Sequence, residues 1–486
     1  MKRICATISA LLCAGCISAF AEIPLKTLRA PAEVRTSSDS AREYFLFQTD
    51  PSAEATVNGE KVHVYGTGAF GAAVVLKPGA NTVRVEVARG RKKQKLNVDV
   101  VCISDRSTGR KPAVVEPVFV DSLFTVRTLE GAYLQYGDGG DRLGGSKMGY
   151  VDDGIVLDAV GVKGDLVKVM LSSGRYAYME KEYLEPCDSQ AGTVNSGSAS
   201  VANAGTCDML SISLPRRVAY SSFTQISPST ISVDLYGVTN NTNWLTHRQG
   251  LEMIDYVDVQ QVESDILRFV IHLKEQHSWG YSIHYSGKAL CVKVKHAPQD
   301  ISLANMTIGL DAGHGGSASG AVSPTGIKEK DVNLSMVYAL KEILEGKGAR
   351  VVLTRKGDEN LSMKERKQIL LDGDVDLLIS IHNNSGGSPL VQMGSSTYYK
   401  HLCNRELAVT MQKHLLELGH KDYGVTGNFN FSLCAPTEYP NVLLEVLFMS
   451  SLPEEELLAQ ERYHRKVAEA AAEGLEEYLE AVRDAR

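Results

Sequence analysis

The chain has no excess of basic residues and, beyond residue 21, no closely paired cysteines. Its formal net charge is −7 and its pI is near 6.0. It therefore lacks the positive surplus with which proteins bind nucleic acid, and we expect no nucleic-acid partner. The six cysteines after residue 21 are widely scattered and include no CxxC pair. This pattern argues against a disulfide scaffold and against a thiolate metal cluster.

Long apolar runs are also missing. The most apolar stretch, residues 4–17, is too short to span a bilayer comfortably, and no other segment of the sequence is apolar enough. It follows Lys2 and Arg3 and precedes the small-x-small tripeptide AFA at residues 19–21. These features predict a signal peptide over residues 1–21 and export across the inner membrane to the periplasm or cell envelope. A buried N-terminal helix and a lipoprotein anchored at Cys16 are the alternatives.

Most of the first 300 residues show the alternation and turn signals of β-structure. Residues 40–104 contain the hairpin signal Asn58-Gly59 and resemble the immunoglobulin-like β-sandwiches appended to bacterial envelope enzymes. Residues 116–187 resemble a bacterial Src-homology-3-like β-barrel, a fold that often binds peptide segments of cell wall. Residues 188–206 are rich in Ser, Gly, Ala and Asn and predict a flexible linker. Residues 207–300 alternate again, which predicts a β-rich domain with one wet face.

The pattern changes in residues 304–486, where apolar strands alternate with amphipathic helices. This order predicts an α/β three-layer domain with a mostly parallel sheet that is covered on both faces. Ser362 with Glu365, and Ser451 with Glu454, have the spacing of capping boxes at helix starts. Residues 453–482 predict one long helix.

Polar residues occur at or near the ends of the predicted strands, where α/β sheets bind their ligands. His314 lies in the stretch DAGHGG after one strand, and His382 closes the stretch DLLISIH. Glu445 lies inside the apolar stretch NVLLEVLF, where an ionised carboxylate needs a cation, a metal or a raised pKa. A salt bridge to an arginine such as Arg355 is the alternative. Glu329 precedes a helix, where it could also simply complement the helix dipole.

Two imidazoles and one carboxylate are the ligand set of many catalytic zinc sites. The ordered stretches DAGHGG, GIKEKDVNL, LLISIHNN and LLEVLFMSS are similar to those of the zinc-dependent N-acetylmuramoyl-L-alanine amidases, which cut bacterial peptidoglycan. The resemblance covers residues 306–486. It implies that His314, Glu329 and His382 bind Zn²⁺ and that Glu445 is the catalytic residue.

The resemblance also implies the reaction. A zinc-activated water would attack the amide between N-acetylmuramic acid and L-alanine of the stem peptide, with Glu445 moving the proton. Asn383 and Asn384 would contact substrate or fix the loop, and Asp311 would orient His314 or end the strand. Arg355, Asp358 and Arg366 are expected to form surface or loop pairs.

The sequence departs from the family at two places and leaves other functions open. Val446-Leu447 stands where Leu-Gly is usual, and SASGAVSPTG replaces a more acidic stretch after His314. Residues 207–300 resemble, in position and pattern, the targeting domain of periplasmic wall amidases. The expected partners are peptidoglycan and an activator protein of the division machinery or envelope. The alternative functions are a catalytically weak wall-binding or activator protein, and a related zinc amidase or peptidase acting on another amide bond.

Overall fold

The structure is a computed structural model, and it describes residues 22–105, 119–141 and 143–486. The predicted signal peptide, including the alternative lipid site Cys16, lies outside the described residues. The chain forms two compact units, which divide between Thr108 and Gly109. None of the helices in the described residues is both long and apolar enough to cross a membrane.

The first unit is built from two facing β-sheets. Its strands are β1 (Leu25–Arg29), β2 (Glu33–Thr36), β3 (Ala41–Thr49), β4 (Glu54–Val57), β5 (Glu60–Val62), β6 (Ala69–Leu76), β7 (Gly79–Arg89) and β8 (Lys92–Ser104). One sheet has the order β1-β3-β6 and the other β2-β8-β7-β4-β5. Phe45, Phe47 and Phe70 are fully buried between them, because alternate residues of each strand face the opposing sheet. The likeness to an immunoglobulin fold stays a prediction.

The second unit begins with a seven-stranded module. Its strands are β9 (Val120–Thr128), β10 (Tyr133–Asp141), β11 (Gly144–Tyr150), β12 (Val156–Lys163), β13 (Leu166–Ser172), β14 (Arg175–Glu180) and β15 (Leu184–Pro186). They form one antiparallel sheet of order β11-β10-β14-β13-β12-β9-β15. A turn at Ser173-Gly174 joins β13 to β14.

A central β-domain, residues 194–295, follows. Its strands are β16 (Val194–Asn195), β17 (Ala199–Asn203), β18 (Cys207–Ile212), β19 (Tyr220–Ile226), β20 (Ser229–Tyr236), β21 (Val238–Thr239), β22 (Leu245–His247), β23 (Ile254–Glu263), β24 (Ile266–Leu273), β25 (Tyr281–Ser286) and β26 (Ala289–Lys295). A five-stranded sheet, β22-β17-β18-β26-β25, and a four-stranded sheet, β19-β20-β24-β23, carry most of them.

The expected flexible linker at residues 188–206 is wrong. This segment contains β16 and β17, and β17 pairs with β18 over five residues. Val201 and Ala199 are buried in the core of the central β-domain. Small polar residues are compatible both with a flexible linker and with a short strand. Burial of the apolar side chains in this segment favours the strand.

The α/β domain, residues 304–486, carries a six-stranded sheet. Its elements are β27 (Thr307–Ala312), α1 (Glu329–Gly346), β28 (Arg350–Leu353), α2 (Met363–Asp372), β29 (Leu377–Asn384), β30 (Ser395–Tyr398), α3 (Arg405–Glu417), β31 (Asp422–Thr426), β32 (Asn441–Phe448), α4 (Leu452–Leu458) and α5 (Glu461–Asp484). The sheet order is β28-β27-β29-β32-β30-β31. Neighbouring strands are parallel except β30 and β32, so the sheet is mixed.

Alternate residues of β29 face two different layers. Leu377, Ile379 and Ile381 belong to the large core with α1, α3 and α5, whereas Leu378 packs with Leu370 of α2. His382 has the parity of Leu378, so its side chain lies on the α2 face.

The structure tests the helix starts and ends that the sequence predicted. Ser362 and Glu365 form a reciprocal capping box at α2, as predicted. The Ser451–Glu454 box is wrong, because the Ser451 hydroxyl donates to the Val391 carbonyl at 2.9 Å. The single C-terminal helix is also wrong, since the chain is extended at Gln460 between α4 and α5.

The modules of the second unit share one hydrophobic core, which runs from Val126 to Val482. The central β-domain is tied to the α/β domain by a Tyr281 N–H to Thr437 carbonyl bond of 2.7 Å. The ring of the partly buried His277 lies 2.9 Å from the hydroxyl of Tyr478 on α5. The seven-stranded module, the central β-domain and the α/β domain are therefore packed together and are not separate domains on a string.

Replacement of Asp208 by asparagine tests the packing of the central β-domain. Asp208 is fully buried, and its Oδ2 accepts the N–H groups of Glu252, Met253 and Ile254 at 2.7–2.9 Å. An amide has fewer acceptor lone pairs and no charge, so Asp208→Asn is expected to lower the free energy of unfolding by about 2–4 kcal/mol. Chemical denaturation of variant and wild type measures this.

Asp255→Asn is the matched control, because Asp255 lies exposed near the start of β23. Its effect should stay within about 0.5 kcal/mol. Equal stability losses in the two variants would contradict a role for the buried acceptor.

Candidate metal centre

His314 stands in a loop that directly follows β27. Its backbone has a φ of 62°, which is uncommon for a residue with a side chain. Two buried arginines hold the loop: Arg355 donates to the Ala312 carbonyl at 2.8 Å and to the Gly313 carbonyl at 3.1 Å. Arg366 donates to the Ala312 carbonyl at 2.8 Å and to that of His314. These bonds hold the otherwise unfavourable backbone of His314 in place.

Two glycines of the predicted motif region make room for the site. A Cβ atom on Gly313 would lie 2.3 Å from the imidazole of His382, and one on Gly320 would lie 2.4 Å from Glu329 Oε2. Both contacts are shorter than any side chain tolerates. The glycines are therefore required by close approach to the site, and at Gly320 also by a φ of 66°.

Glu329 is the first residue of α1 and lies buried between the two histidines. Its Oε1 is 3.2 Å from His314 Nε2 and 3.2 Å from His382 Nδ1. The backbone N–H groups of Asn383 and Ala321 donate to its two carboxylate oxygens at 3.1 and 2.8 Å. The three side chains that the sequence predicted as ligands thus meet at one point.

Glu445 lies beside His382 in the sheet. The two residues are register partners on the parallel strands β29 and β32, so their side chains project to the same face. Glu445 is half-buried, whereas its neighbours on β32 are buried. The fourth predicted residue therefore borders the cluster of His314, Glu329 and His382.

Attraction between Glu329 and the two imidazoles shifts the pKa values of Glu329 and His382. Burial alone would raise the pKa of Glu329, but its hydrogen bonds with His314 and His382 outweigh burial and hold that pKa well below its usual range. Burial alone would lower the pKa of His382, but the carboxylates of Glu329, Glu445 and Asp311 raise it. The ionised carboxylate of Glu329 therefore attracts positive charge at this point, whether that of an imidazolium or that of a bound cation.

Asp311 is buried beneath the site and contacts Arg366. Its carboxylate accepts hydrogen bonds from Arg366 at 2.6 Å, from Thr354 at 2.6 Å and from Ser380 at 2.7 Å. Burial opposes its ionisation, but Arg366 and these bonds hold the pKa of Asp311 below its usual range. Asp311 thus acts on the backbone of His314 through Arg366.

The two asparagines after His382 differ in their surroundings. Asn383 is buried, donates to Asn333 Oδ1 at 2.8 Å and accepts from the Leu447 N–H at 3.3 Å. Asn384 is less buried, and its side chain accepts the Ser385 N–H at 2.8 Å. Asn383 therefore links α1 to the end of β32 near the cluster.

The sequence analysis did not predict the burial of two supporting arginines and did not consider one supporting asparagine. Arg355 and Arg366 are each 2% exposed and donate to loop carbonyls, so of the expected surface or loop pairs they form the loop kind and are buried. That expectation is confirmed for Asp358, which pairs with Lys330 at 2.6 Å. Asn333 was not considered, although it donates to Glu329 Oε1 at 3.2 Å. Its position four residues after Glu329 on α1 was the available signal.

Metal-ligand geometry singles out this cluster. The donor atoms of His314, Glu329 and His382 all lie within 4.8 Å of one another. A second group in the described residues, His414 with Glu417 and Glu473, has similar spacing, but its two glutamates are exposed. Exposed acids near a histidine are common on protein surfaces, so the buried group is the better candidate.

Gly313→Ala tests the close packing of the cluster. The added methyl group meets the His382 ring and must displace it, because the backbone is held by Arg355 and Arg366. We expect at least a ten-fold loss of metal affinity, comparable to the loss when a supporting partner is removed. Titration of the metal-free protein with zinc measures it.

Gly346→Ala is the control, since a Cβ there meets nothing within 4 Å at the end of α1. It should bind metal like the wild type. Unchanged metal affinity in Gly313→Ala would contradict the described contact.

Comparison with known proteins identifies relatives of the α/β domain that carries this site. Residues 308–477 match the family model of N-acetylmuramoyl-L-alanine amidase. The chain is 34% identical over 179 residues to the uncharacterized protein YqiI of Bacillus subtilis, a match that spans 36% of this chain and 85% of YqiI. It is 35% identical over 182 residues to the probable cell wall amidase LytH of Staphylococcus aureus, over 37% of this chain and 60% of LytH.

Two solved structures share part of this sequence. The catalytic domain of CwlV, an amidase from Bacillus (Paenibacillus) polymyxa var. colistinus, is 35% identical over 36% of this chain and 98% of that domain, with a TM-score of 0.34. The amidase AmiC2 of Nostoc punctiforme is 31% identical over 36% of this chain and 97% of its own, also with a TM-score of 0.34. From the family match and the identity to YqiI, the chain belongs to the N-acetylmuramoyl-L-alanine amidase family of peptidoglycan amide hydrolases.

Proposed function

We propose that His314, Glu329 and His382 bind one zinc ion and that Glu445 is the catalytic base and acid. The substrate bond is the amide between N-acetylmuramic acid and L-alanine of the peptidoglycan stem peptide. The observation that carries the proposal is the convergence of two imidazole nitrogens and one buried carboxylate within 4.8 Å. Such a set leaves one coordination position free for the reaction.

The donors fit zinc in their chemistry as well as in their number. Two nitrogen ligands and one oxygen ligand are typical of hydrolytic zinc sites, whereas magnesium and calcium prefer oxygen alone. Glu329 is held ionised, and backbone N–H groups orient its carboxylate. The Glu329 side chain is therefore already ordered, so metal binding costs it little conformational entropy.

Zinc, when bound, lowers the pKa of a coordinated water to about 7 and polarises the carbonyl of the scissile amide. Glu445 accepts the proton of the attacking water, so that a C–O bond forms at the lactyl carbonyl. As the C–N bond breaks, Glu445 donates that proton to the departing nitrogen of L-alanine. The products are a lactyl carboxylate on the sugar and a stem peptide with a free amino group.

The position of Glu445 supports this role. Its carboxylate borders His382, yet it stands on a different strand from every proposed ligand. A half-buried carboxylate beside a metal centre can reach both the water and the leaving group without binding the metal itself.

The proposed substrate places the protein at the cell envelope. Peptidoglycan lies outside the cytoplasmic membrane, and the staphylococcal relatives are named as cell wall amidases. Export by the N-terminal signal, lipid attachment at Cys16, a role in cell division and an activator protein remain parts of the proposal. The immunoglobulin-like, Src-homology-3-like and targeting assignments of the β-modules belong to it as well.

Product analysis on purified peptidoglycan tests the proposal against its alternatives. The full chain loaded with zinc should release stem peptides that begin with L-alanine. Release of single amino acids would instead indicate a related peptidase. No release would indicate a wall-binding or activator protein, and either result contradicts the proposed reaction.

Glu445→Gln separates catalysis from metal binding. Glutamine keeps the shape of the side chain but does not carry the proton, so turnover should fall by about 10²–10⁴-fold while zinc content stays unchanged. Rates on peptidoglycan and metal analysis of the same preparation measure both. Glu480→Gln, at an exposed position on α5, is the control. Activity retained in Glu445→Gln would place the base elsewhere.

His314→Ala tests the ligand set. Removal of one of three ligands should weaken zinc binding by more than the about 10–100-fold caused by loss of an orienting partner. His414→Ala, in the second cluster, should keep full zinc content. The opposite pattern in metal analysis would show that the ion binds between α3 and α5.

A further inference from the structure

A cavity of about 270 Å³ lies where the three parts of the second unit meet. The seven-stranded module contributes Lys147 and Tyr150, and the central β-domain contributes Ile283. The α/β domain contributes Lys400 and Glu438. Junctions between domains are frequent places for ligand pockets, and none of these residues belongs to the metal centre.

Two ammonium groups of this cavity have no carboxylate partner. Within the described residues, neither Lys147 nor Lys400 forms an ion pair. The Lys400 ammonium donates to the Lys147 backbone carbonyl at 3.2 Å. The Lys147 ammonium lies 4.5 Å from the ring centroid of Tyr133 and 5.6 Å from that of Tyr150. Like charges held near each other in a partly buried place are stabilised by an anion.

The remaining ionisable groups of the cavity do not supply that anion. Glu438 is already paired, with its Oε1 3.0 Å from the Nζ of Lys367, which also lines the cavity. The carboxylate of Asp152 is already engaged, because it accepts the backbone N–H of Tyr285. Burial lowers the pKa of His401 to about 4, so its imidazole is neutral at pH 7.

The lowered pKa of Lys400 shows that its charged form is destabilised in this cavity. Burial and the nearby Lys147 ammonium lower the pKa of Lys400 to about 8. The amine is still mostly protonated at pH 7, but its charged form is less favoured than in water. An anionic ligand between Lys147 and Lys400 would reverse that effect.

We propose that this cavity, the junction pocket, binds the free carboxylate terminus of a short peptide. Lys147 and Lys400 bind the carboxylate, and Tyr150, Met148 and Ile283 contact the side chain of the terminal residue. A bare inorganic anion would make no use of the aromatic and aliphatic wall. The volume suits one or two residues, since pockets for drug-sized ligands begin at about 300 Å³.

The junction pocket is connected to the metal centre by one short segment. Asn430 donates to the Gly145 carbonyl at 2.7 Å and accepts the N–H of Lys147 at 3.3 Å. The next residue, Phe431, meets the His382 ring edge-on, with ring centroids 5.4 Å apart. The β10–β11 hairpin that carries Lys147 therefore also holds the segment that contacts a proposed zinc ligand.

This connection fits a peptide of the substrate itself. Stem peptides carry free carboxylate termini, and a terminus held in the junction pocket would keep the polymer bound near the metal centre. Only this link between the pocket and the substrate rests on the proposed function. Binding of a peptide carboxylate by itself does not.

Calorimetry on the full-length Glu445→Gln variant tests the site without turnover. The probes are trialanine, trialanine with an amidated C-terminus, and inorganic phosphate. We expect trialanine to bind at least ten-fold more tightly than its amide, because the charge-assisted bonds to two lysines are lost in the amide. Equal binding of the amide, equal binding of phosphate, or no binding of trialanine would overturn the proposal.

Lysine variants locate the site in the same background. Lys400→Gln and Lys147→Gln should each weaken trialanine binding about ten-fold or more, whereas Lys400→Arg should retain it within about three-fold. Lys466→Gln, at an exposed position on α5, is the control and should bind like the parent. Unchanged binding in Lys147→Gln and Lys400→Gln would overturn the assignment.

The link to the substrate has its own readout. In the active enzyme, Lys147→Gln should raise KM on soluble peptidoglycan fragments several-fold and leave kcat within about two-fold. An unchanged KM would remove the link but leave the peptide site intact. Failure of the proposed function looks different, because the wild type would then release no stem peptide at all.

Discussion

The structure of the candidate site depends on one buried carboxylate, that of Glu329, held between His314 and His382. A buried charge is tolerated only when it is paired and hydrogen-bonded, and Glu329 has both imidazoles and two backbone N–H groups. The other features of the site serve this arrangement. Gly313 and Gly320 let the groups approach, and buried arginines hold the loop that carries His314.

The sequence brought these residues forward in two ways: some depart from their local pattern, and the ligand set as a whole, with Glu329, came from the resemblance to the amidase family. His382 and Glu445 interrupt apolar strands, and an unexplained polar residue in a buried strand needs a partner. The arginines behind the site gave no such signal. The buried positions of Arg355 and Arg366 were not predicted, since their partners are loop carbonyls and, for Arg366, the Asp311 carboxylate, which only the fold brings near. Residues 188–206 failed for a similar reason, because small polar residues are equally compatible with a linker and with a short strand.

The second unit joins the proposed catalytic domain to its β-modules through a common core. Modules attached by flexible linkers would increase local concentration and do nothing more. Here the β10–β11 hairpin contacts Asn430, and the neighbouring Phe431 contacts His382. The seven-stranded module therefore holds the segment that packs against a residue of the candidate metal centre.

The most direct measurement is X-ray diffraction from crystals of the zinc-loaded protein, with data collected just above and just below the zinc absorption edge. The account predicts one anomalous peak that appears only above the edge, within about 2.0–2.2 Å of His314 Nε2, His382 Nδ1 and an oxygen of Glu329. A peak between His414, Glu417 and Glu473 instead, or no peak near Glu329, would contradict it.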